Sequence, residues 1–545
     1  MSKVQSGAAE GGFRQAMAWL HTWGGLWACW VLFVIFLTGS LGVFDEPITR
    51  WMKPHLPQAS EATGDTRIDD GFDRPQAVRM ARTWFEENQP DAHFWGIGLP
   101  SDEDPSIRLF WQDPQENFHN ARIDAGSGQP VDGSRERDSE GGHHFVHMHF
   151  EFHGGTAGIW FVGAFTMAML VALVSGIVIH KRIFKDFFTF RPRKGQRTWL
   201  DGHNAVGVLV LPFHLMITYS SLVIFMYMVM PASILVAYKG DSDAFFEDLR
   251  PAAAAAAASA AGQSAPLAPL EPMLKQARER WSGGHAQRLV VSYPGDLNAS
   301  VQVFRHEADR VARDFGSQVA FNGVTGQPLQ ASAEQSLPLA IGGSFYGLHM
   351  GRFAGPVLRW LYFLCGLAST AMIGTGLVIW LGKRQLKHAK SAAQPFELRL
   401  VEVLNIASMA GLLLAVAAFF WANRLLPAGF AERADWEVSS FFWAWGLSLL
   451  HACVRPGRRA WVEQLGLGAL LFAGVPVLSV LTSPSLMDGF MVRGDWAMAS
   501  FDLACLGSGL FLAWAARKLH RAGAAATATP RVPRQRPPAP ETEVN

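Results

Sequence analysis

Long apolar runs alternate with polar stretches along this chain, and eight of them approach the length of about 20 residues that crosses a bilayer as helix. Their cores lie at roughly 19–44, 158–179, 206–230, 357–381, 403–421, 441–453, 462–481 and 496–515, the sixth being the shortest. The pattern predicts a mainly α integral membrane protein of about eight transmembrane helices. The first run is long and uninterrupted and lacks a small-residue cleavage site, so it reads as an anchor rather than a removed signal peptide. Two longer polar segments interrupt the series, 45–146 and 232–344, and each shows one helix-like stretch followed by about three short alternating runs. In the first these are PQAVRMARTWFEEN, then HFWGIGL and SIRLFW; in the second, LEPMLKQARERW, then RLVVSY and SVQVFR. Two small α+β domains outside the membrane are expected.

The full layout predicted is a tail 1–18, a span 19–44, the first soluble domain 45–146, a span 147–182, a basic loop 183–202, a span 203–231, the second soluble domain 232–344, a span 345–383, a four-helix membrane bundle 400–516 and a tail 517–545. An Ala/Pro-rich stretch at 251–270 reads as a linker and the C-terminal tail as disordered. Charge sets the orientation. Lys and Arg crowd KRIFKDFFTFRPRKGQR, KRQLKHAK, RPGRR and RKLHR, four loops that fall on one side of an eight-span count. By the positive-inside rule that side is cytoplasmic, with both termini. The first soluble segment holds about twice as many acidic as basic residues, which suits export. A bacterial inner-membrane protein follows from this reading.

Composition agrees: 49% of residues are hydrophobic and 17% charged, with a formal net charge of +1 that implies no nucleic-acid partner. The four cysteines, Cys29, Cys365, Cys453 and Cys505, lie far apart in apolar stretches with no CxxC pair, which excludes c-type haem attachment and a disulfide framework.

The chain also repeats itself. RIDAGSGQPV (122–131) near the end of the first soluble segment is matched by AFNGVTGQPL (320–329) near the end of the second. HTWGG at His21 is matched by HNAVG at His203, and His149 by His349. The repeating unit is span, soluble domain, span, and it turns single histidines into pairs: His21 with His203 on the inner side, His149 with His349 on the outer. A histidine at a span end also serves as a cap or an interfacial polar group. Four at matched positions favour bis-histidine ligation of haem, which leaves no open iron position and suits electron transfer. Three others compete. His214 follows His203 by about three helical turns and could serve a further haem or a hydrogen bond. His180 stands beside the basic loop and could replace an inner ligand. His153 lies one turn after His149. The run HHFVHMHFEFH, with His143, His144 and His147, is dense enough for a transition metal or an iron-bearing substrate, although a solvated, merely polar run is the preferred reading. Trp84, Trp95, Trp111 and Trp281 are expected to pack the small domain cores.

These motifs resemble a known family. HTWGGLW leading to LTGSLGVF, LHMGRFAG at 348–355, and the endings DAGSGQPV and NGVTGQPL are similar to the PepSY-associated transmembrane proteins, which include inner-membrane siderophore reductases. The resemblance covers about the first 385 residues. It implies PepSY-like soluble domains, two or more haem b groups, and reduction of ferric siderophores or other ferric chelates outside the cytoplasm, with the family's span histidines falling on His21, His149, His203 and His349. Two departures stand out. LPFHLMITYSS replaces the family's usual Thr-Gly pair and adds His214, and four further spans follow.

No G-x-G-x-x-G opens a helix after a strand and no P-loop occurs, so electrons are expected from a separate cytoplasmic donor or from quinol. No Ser/His/Asp or HExxH arrangement supports hydrolysis. Two readings of other classes stand beside the redox one: a peptide-binding or peptidase-inhibiting scaffold, and a metal permease whose histidines line the path.

Overall fold

The computed structural model describes residues 2–54, 72–101, 104–131, 137–180, 187, 189–229, 231–249, 259–312, 318–329, 337–391, 393–482 and 496–528. Parts of the expected basic loop (183–186, 188), the end of the span before it (181–182), and parts of the linker (251–258) and tail (529–545) lie outside them. The chain is mostly helical. α1 (Ser2–Gly42) and α2 (Asp45–Met52) lead to α3 (Arg74–Asn88), β1 (Phe94–Gly98), β2 (Ser106–Gln112) and β3 (Phe118–Asp124). α4 (His143–Phe150), α5 (Gly155–Ile179), α6 (Gln196–Leu209) and α7 (Leu211–Ile224) follow. The unit then recurs as α8 (Glu271–Arg280), β4 (Ala286–Ser292), β5 (Ser300–Arg305), β6 (Val319–Asn322), α9 (Leu337–Met350) and α10 (Pro356–Lys387). The remainder is α11 (Phe396–Leu425), α12 (Arg433–Val454), α13 (Arg458–Thr482) and α14 (Trp496–Ala528).

Six helices among the described residues are long and apolar enough to cross a membrane: Gly12–Gly42, α5, α10, α11, α13 and Ala499–Gly523. This is a multi-pass membrane protein. Two of the eight expected spans differ. The third is broken, α6 and α7 meeting at 66°. Pro212 opens α7; it lacks an N–H and its ring crowds the carbonyl one turn back, which kinks a helix. The sixth, α12, carries Arg433, Asp435 and Glu437 in its first two turns, which lowers its apolar character. α14 runs on past position 517 to Ala528, where a disordered tail was expected.

The soluble segments do not form two separate sheets. Their six strands make one antiparallel sheet in the order β3-β2-β1-β4-β5-β6, joined where β1 pairs with β4, Trp95 opposite Val291 and Ile97 opposite Leu289. Each half alone would leave an unpaired strand edge, and pairing the two first strands removes both. α3 starts on Asp73, whose side chain accepts the Gln76 N–H at 2.9 Å. It lays Phe85 flat on Trp95 with ring centres 5.2 Å apart. Trp95, Trp111 and Trp281 are buried in this core and Trp84 is half-buried. The repeated endings fold alike. Asp124 accepts from the Gly126 and Ser127 N–H groups, Asn322 from those of Val324 and Thr325. Each turn closes through a glycine at positive φ, Gly128 at 70° and Gly326 at 69°, where a side chain is strained. The described part of the expected linker is not free: Leu267 and Leu270 are buried against the sheet domain, and Asp296 accepts the Ala261 and Gly262 N–H groups at 2.8 Å.

The C-terminal helices grip the rest of the molecule. Trp30 of α1 donates to Asn405 at 2.8 Å. At the end nearest the sheet, fully buried Arg433 and Glu437 bond each other, Glu437 accepts from Ser139 at 2.6 Å and Asn423 at 2.8 Å, and Trp51 of α2 donates to Asp502 at 3.1 Å. The four cysteines are free, Cys505 buried and Cys453 exposed on α12.

Candidate functional site

The fold brings the four span histidines together in pairs. His21 on α1 and His203 on α6 have ring centres 6.5 Å apart at an interplanar angle of 72°. His149 on α4 and His349 on α9 are 6.0 Å apart at 36°. Ile35, whose carbonyl engages His149, lies fourteen residues beyond His21 on the same helix, so the pairs are separated by about 21 Å along α1. The second pair is the one nearer the sheet.

Every one of the four rings is held by Nδ1. His21 Nδ1 meets the Ala172 carbonyl at 2.9 Å and Ser175 Oγ at 3.3 Å; His203 Nδ1 meets the Met372 carbonyl at 2.9 Å and Thr375 Oγ1 at 3.1 Å. His149 Nδ1 meets the Ile35 carbonyl at 2.8 Å. A carbonyl only accepts, so the proton of these three rings sits on Nδ1 and the lone pair on Nε2. His349 Nδ1 lies 2.9 Å from Ser220 Oγ, whose own proton goes to the Ile217 carbonyl at 3.1 Å, so the hydroxyl accepts here too. Anchoring one imidazole nitrogen on a carbonyl or hydroxyl is how proteins aim the other at a metal. The spacing fits as well. Two imidazoles bound across one iron, with metal–nitrogen bonds of about 2 Å and nitrogens about 1.1 Å from the ring centre, sit about 6.2 Å apart. Both pairs are within a few tenths of that value.

These anchors escaped the sequence reading, although a signal was present. The spacing of 200 residues that links His149 to His349 also links Ala172 to Met372, Ser175 to Thr375 and Gly176 to Gly376. The glycines matter for room: a Cβ at Gly176 would lie 3.1 Å from His21 Cε1, at Gly376 3.4 Å from His203 Cε1, and at Gly39 only 2.5 Å from His149 Nδ1.

The three other candidates are placed elsewhere. His153 does not join His149: its Nε2 bonds His144 Nδ1 at 2.9 Å, and its ring stacks on those of His144 and His147. His144 is itself fully buried against Phe419 and Phe441, and His147 bonds Glu151, so the histidine run is mostly spent on internal contacts. Among the described residues no three His, Cys, Asp or Glu side chains converge as a metal cage. His180 follows the last residue of α5, one turn past Gly176, its buried Nδ1 without a partner. His214 is fully buried 6.4 Å from Phe36, and neither of its nitrogens has a hydrogen bond. His451 bonds Glu463 at 3.0 Å, away from both pairs.

Beside the pair nearer the sheet lies a cleft of about 50 Å³ lined by Gly42, Glu46, Met350, Arg352, Arg359 and Tyr362. Arg352 spans it, bonding Glu46 at 3.1 Å and Glu307 of the sheet domain at 3.3 Å.

A family model described as the PepSY-associated TM region matches residues 18–383, the stretch that contains both histidine pairs and the sheet. The chain belongs to this family. An uncharacterized protein of Pseudomonas aeruginosa is 26% identical over 406 residues, covering 71% of this chain and 97% of that protein. In this PepSY-associated membrane protein α11 to α14 lie beyond the family match, and the contacts of Asn405, Glu437 and Asp502 weld them to it.

Proposed function

We propose that this protein is a haem-containing electron-transfer protein of the bacterial inner membrane that reduces ferric siderophores or other ferric chelates at its outer face. The observation that carries the reading is the arrangement of four imidazoles in two facing pairs, each ring fixed through Nδ1 and spaced for one iron between them. His21 and His203 would hold one haem b and His149 and His349 another. Haem iron, when bound, supplies a one-electron carrier that cycles between ferric and ferrous states. The protein's part would be to fix each ring's tautomer through Nδ1 and offer its Nε2 to the iron.

In this reading α6 with α7 counts as one span and α12 as another, giving eight, with both termini in the cytoplasm and the sheet, formed by two PepSY-like units, outside. Electrons enter from a cytoplasmic donor or quinol near His21 and His203. A ferric chelate held against the sheet and the Arg352 cleft gains one electron, and its iron leaves as the ferrous ion. Hard oxygen ligands hold the lower-charged ion far less tightly.

The test is the absorption spectrum of the detergent-purified protein, oxidised and dithionite-reduced, after expression with ample haem. A reduced b-type spectrum at about two haems per chain is expected, halved by His21→Ala or His349→Ala. A colourless protein would sink the proposal and favour the scaffold or permease readings.

A further inference from the structure

One face of the six-stranded sheet is covered: Ile97, Leu109, Leu289 and Val303 point into the core shared with α3 and α8. Side chains alternate along a strand, so the residues between them line the other face. The register sets those residues in rows, and one row reads Arg122, Arg108, Gly98, Arg288 and Phe304 across β3, β2, β1, β4 and β5. Like charges directly opposite each other destabilise a strand pair, yet Arg108 stands directly opposite Arg122. Asp104 accepts from Arg122 at 2.6 Å and lies 3.8 Å from Arg108, while Asp124 turns its carboxylate to the N–H groups of its own tight turn. The bare middle strand draws the charges closer. A Cβ on Gly98 would stand 3.0 Å from Arg108 Nε, so that side chain lies across β1 toward Arg288. One row along, the Phe110 ring lies over Gly96 in the same way, 6.1 Å from Phe94, which is 6.0 Å from Phe118. Arg288 sits 4.3 Å over the Phe304 ring. Arg108 and Arg288 are exposed, and so is Phe118, by 74%. The row lies at the end of the sheet next to the membrane helices: three residues past Phe304, Glu307 bonds Arg352, itself three residues past His349.

A row of arginines beside a strip of phenylalanines, on the uncovered face of a sheet, matches a ligand that is both anionic and aromatic. We propose that this face docks a ferric chelate whose iron is held by aryl oxygens, a complex of the catecholate class, an inference that rests on the function proposed above and names its substrate. A ferric ion wrapped by catecholates keeps a net negative charge and turns flat rings outward. Arg108 and Arg288 would meet the charge and the oxygens, since a guanidinium binds oxyanions through its fork and also stacks on rings. Phe110 and Phe118 would take the ring faces. A neutral hydroxamate complex gives the arginines no charge to meet. An anionic lipid headgroup brings the charge without the rings, and the strip from Phe110 to Phe118 favours the chelate.

The experiment measures docking apart from reduction. Gallium(III) tris-catecholate has the charge and shape of the ferric complex and accepts no electron, and it is titrated into the full-length protein in an uncharged detergent. Arg108→Gln and Arg288→Gln should each weaken binding about tenfold, the scale of a charge-assisted hydrogen bond. Arg288→Lys should recover part of the loss, and Phe118→Ser should cost about threefold. Added salt should weaken binding to the wild type and change it less in the two glutamine variants. Gallium tris-hydroxamate, which is neutral, should bind at least about tenfold more weakly and ignore the arginine variants. Equal affinity for the two gallium complexes, or unchanged tris-catecholate binding in both glutamine variants, would overturn the inference. Displacement of the complex by anionic lipid added to the micelle would overturn it in favour of a lipid-binding face. A haem-loaded protein that takes up no gallium complex removes this inference alone. A colourless protein that still binds the tris-catecholate through Arg108 and Arg288 keeps the docking face and sinks the redox function.

Discussion

The two histidine pairs come from the same duplication, yet they are not built alike. Far from the sheet, the anchors are copies: His21 rests on the carbonyl of Ala172 and the hydroxyl of Ser175, His203 on the carbonyl of Met372 and the hydroxyl of Thr375. Near the sheet each ring again meets a carbonyl, His149 that of Ile35 and His349 that of Ile217, and His349 has the Ser220 hydroxyl beside it as well. That hydroxyl, its own proton spent on Ile217, gives the Nδ1–H of His349 a second acceptor. Ring planes differ too, 72° against 36°. One pair reads as a symmetric holder with a carbonyl and a hydroxyl at each ring, and the other as an asymmetric one in which the hydroxyl stands beside His349. In the function proposed above, two sites with different environments suit a directional relay, because electrons move toward the higher potential.

Removal of a ring should have the largest effect. Under the function proposed above, His203→Ala and His349→Ala are each expected to lose one haem equivalent and to lower electron transfer across proteoliposomes at least about 100-fold, because a relay fails with either member. The check is a pyridine-haem assay alongside reduction of an outside ferric chelate. Next comes crowding. Gly39→Ala puts a Cβ 2.5 Å from His149 Nδ1, whereas Gly376→Ala meets His203 Cε1 at 3.4 Å, an ordinary contact. Haem content should fall toward one per chain in the first variant and stay at wild-type level in the second. Equal haem content in the two would break the assignment of Gly39 to the site.

The third comparison concerns the anchors. Ser220→Ala leaves His349 the Ile217 carbonyl, so haem binding there is expected to weaken by no more than about threefold. Ser175→Ala leaves His21 the Ala172 carbonyl, so its effect should stay within about threefold. A loss of about tenfold or more in either variant would show that the hydroxyl rather than the carbonyl holds the ring. The smallest effect is spectroscopic: the angles predict two distinguishable low-spin ferric signals in electron paramagnetic resonance, the steeply crossed pair giving the more axial one. A single signal accounting for both haems would show that the rings reorient on binding.

The C-terminal helices bear on the same contrast. Loop residues 137–142 lead into α4, which carries His149, and they are held from α12 by Arg433 on the Asp138 carbonyl at 2.5 Å and by Glu437 on Ser139. Buried His144 of α4 stacks on Phe419 of α11 at 4.3 Å. The added bundle therefore braces the segment next to one pair, a role that its own sequence, apolar with a few polar residues, does not disclose.

Much of this protein can be read without a structure. Runs of about 20 apolar residues read as spans, since a bilayer offers no water to unpaired peptide groups, and HTWGG with HNAVG, His149 with His349 and the two GQP endings reveal matched histidines and matched turns. The α+β character of the soluble segments follows from their period-two runs and the Asp73 cap. What the linear pattern could not decide was how the copies meet. Periodicity is a local property, and it is silent on whether β1 and β4 will join two halves into one sheet, because that pairing depends on edges brought together by the membrane helices. It is equally silent on Pro212 bending the third span by 66° and on His153 turning to His144. The imidazole anchors belong to the same class. Any carbonyl is available to any histidine until helices pack, and only the approach of α5 to α1 and of α10 to α6 chooses Ala172 and Met372.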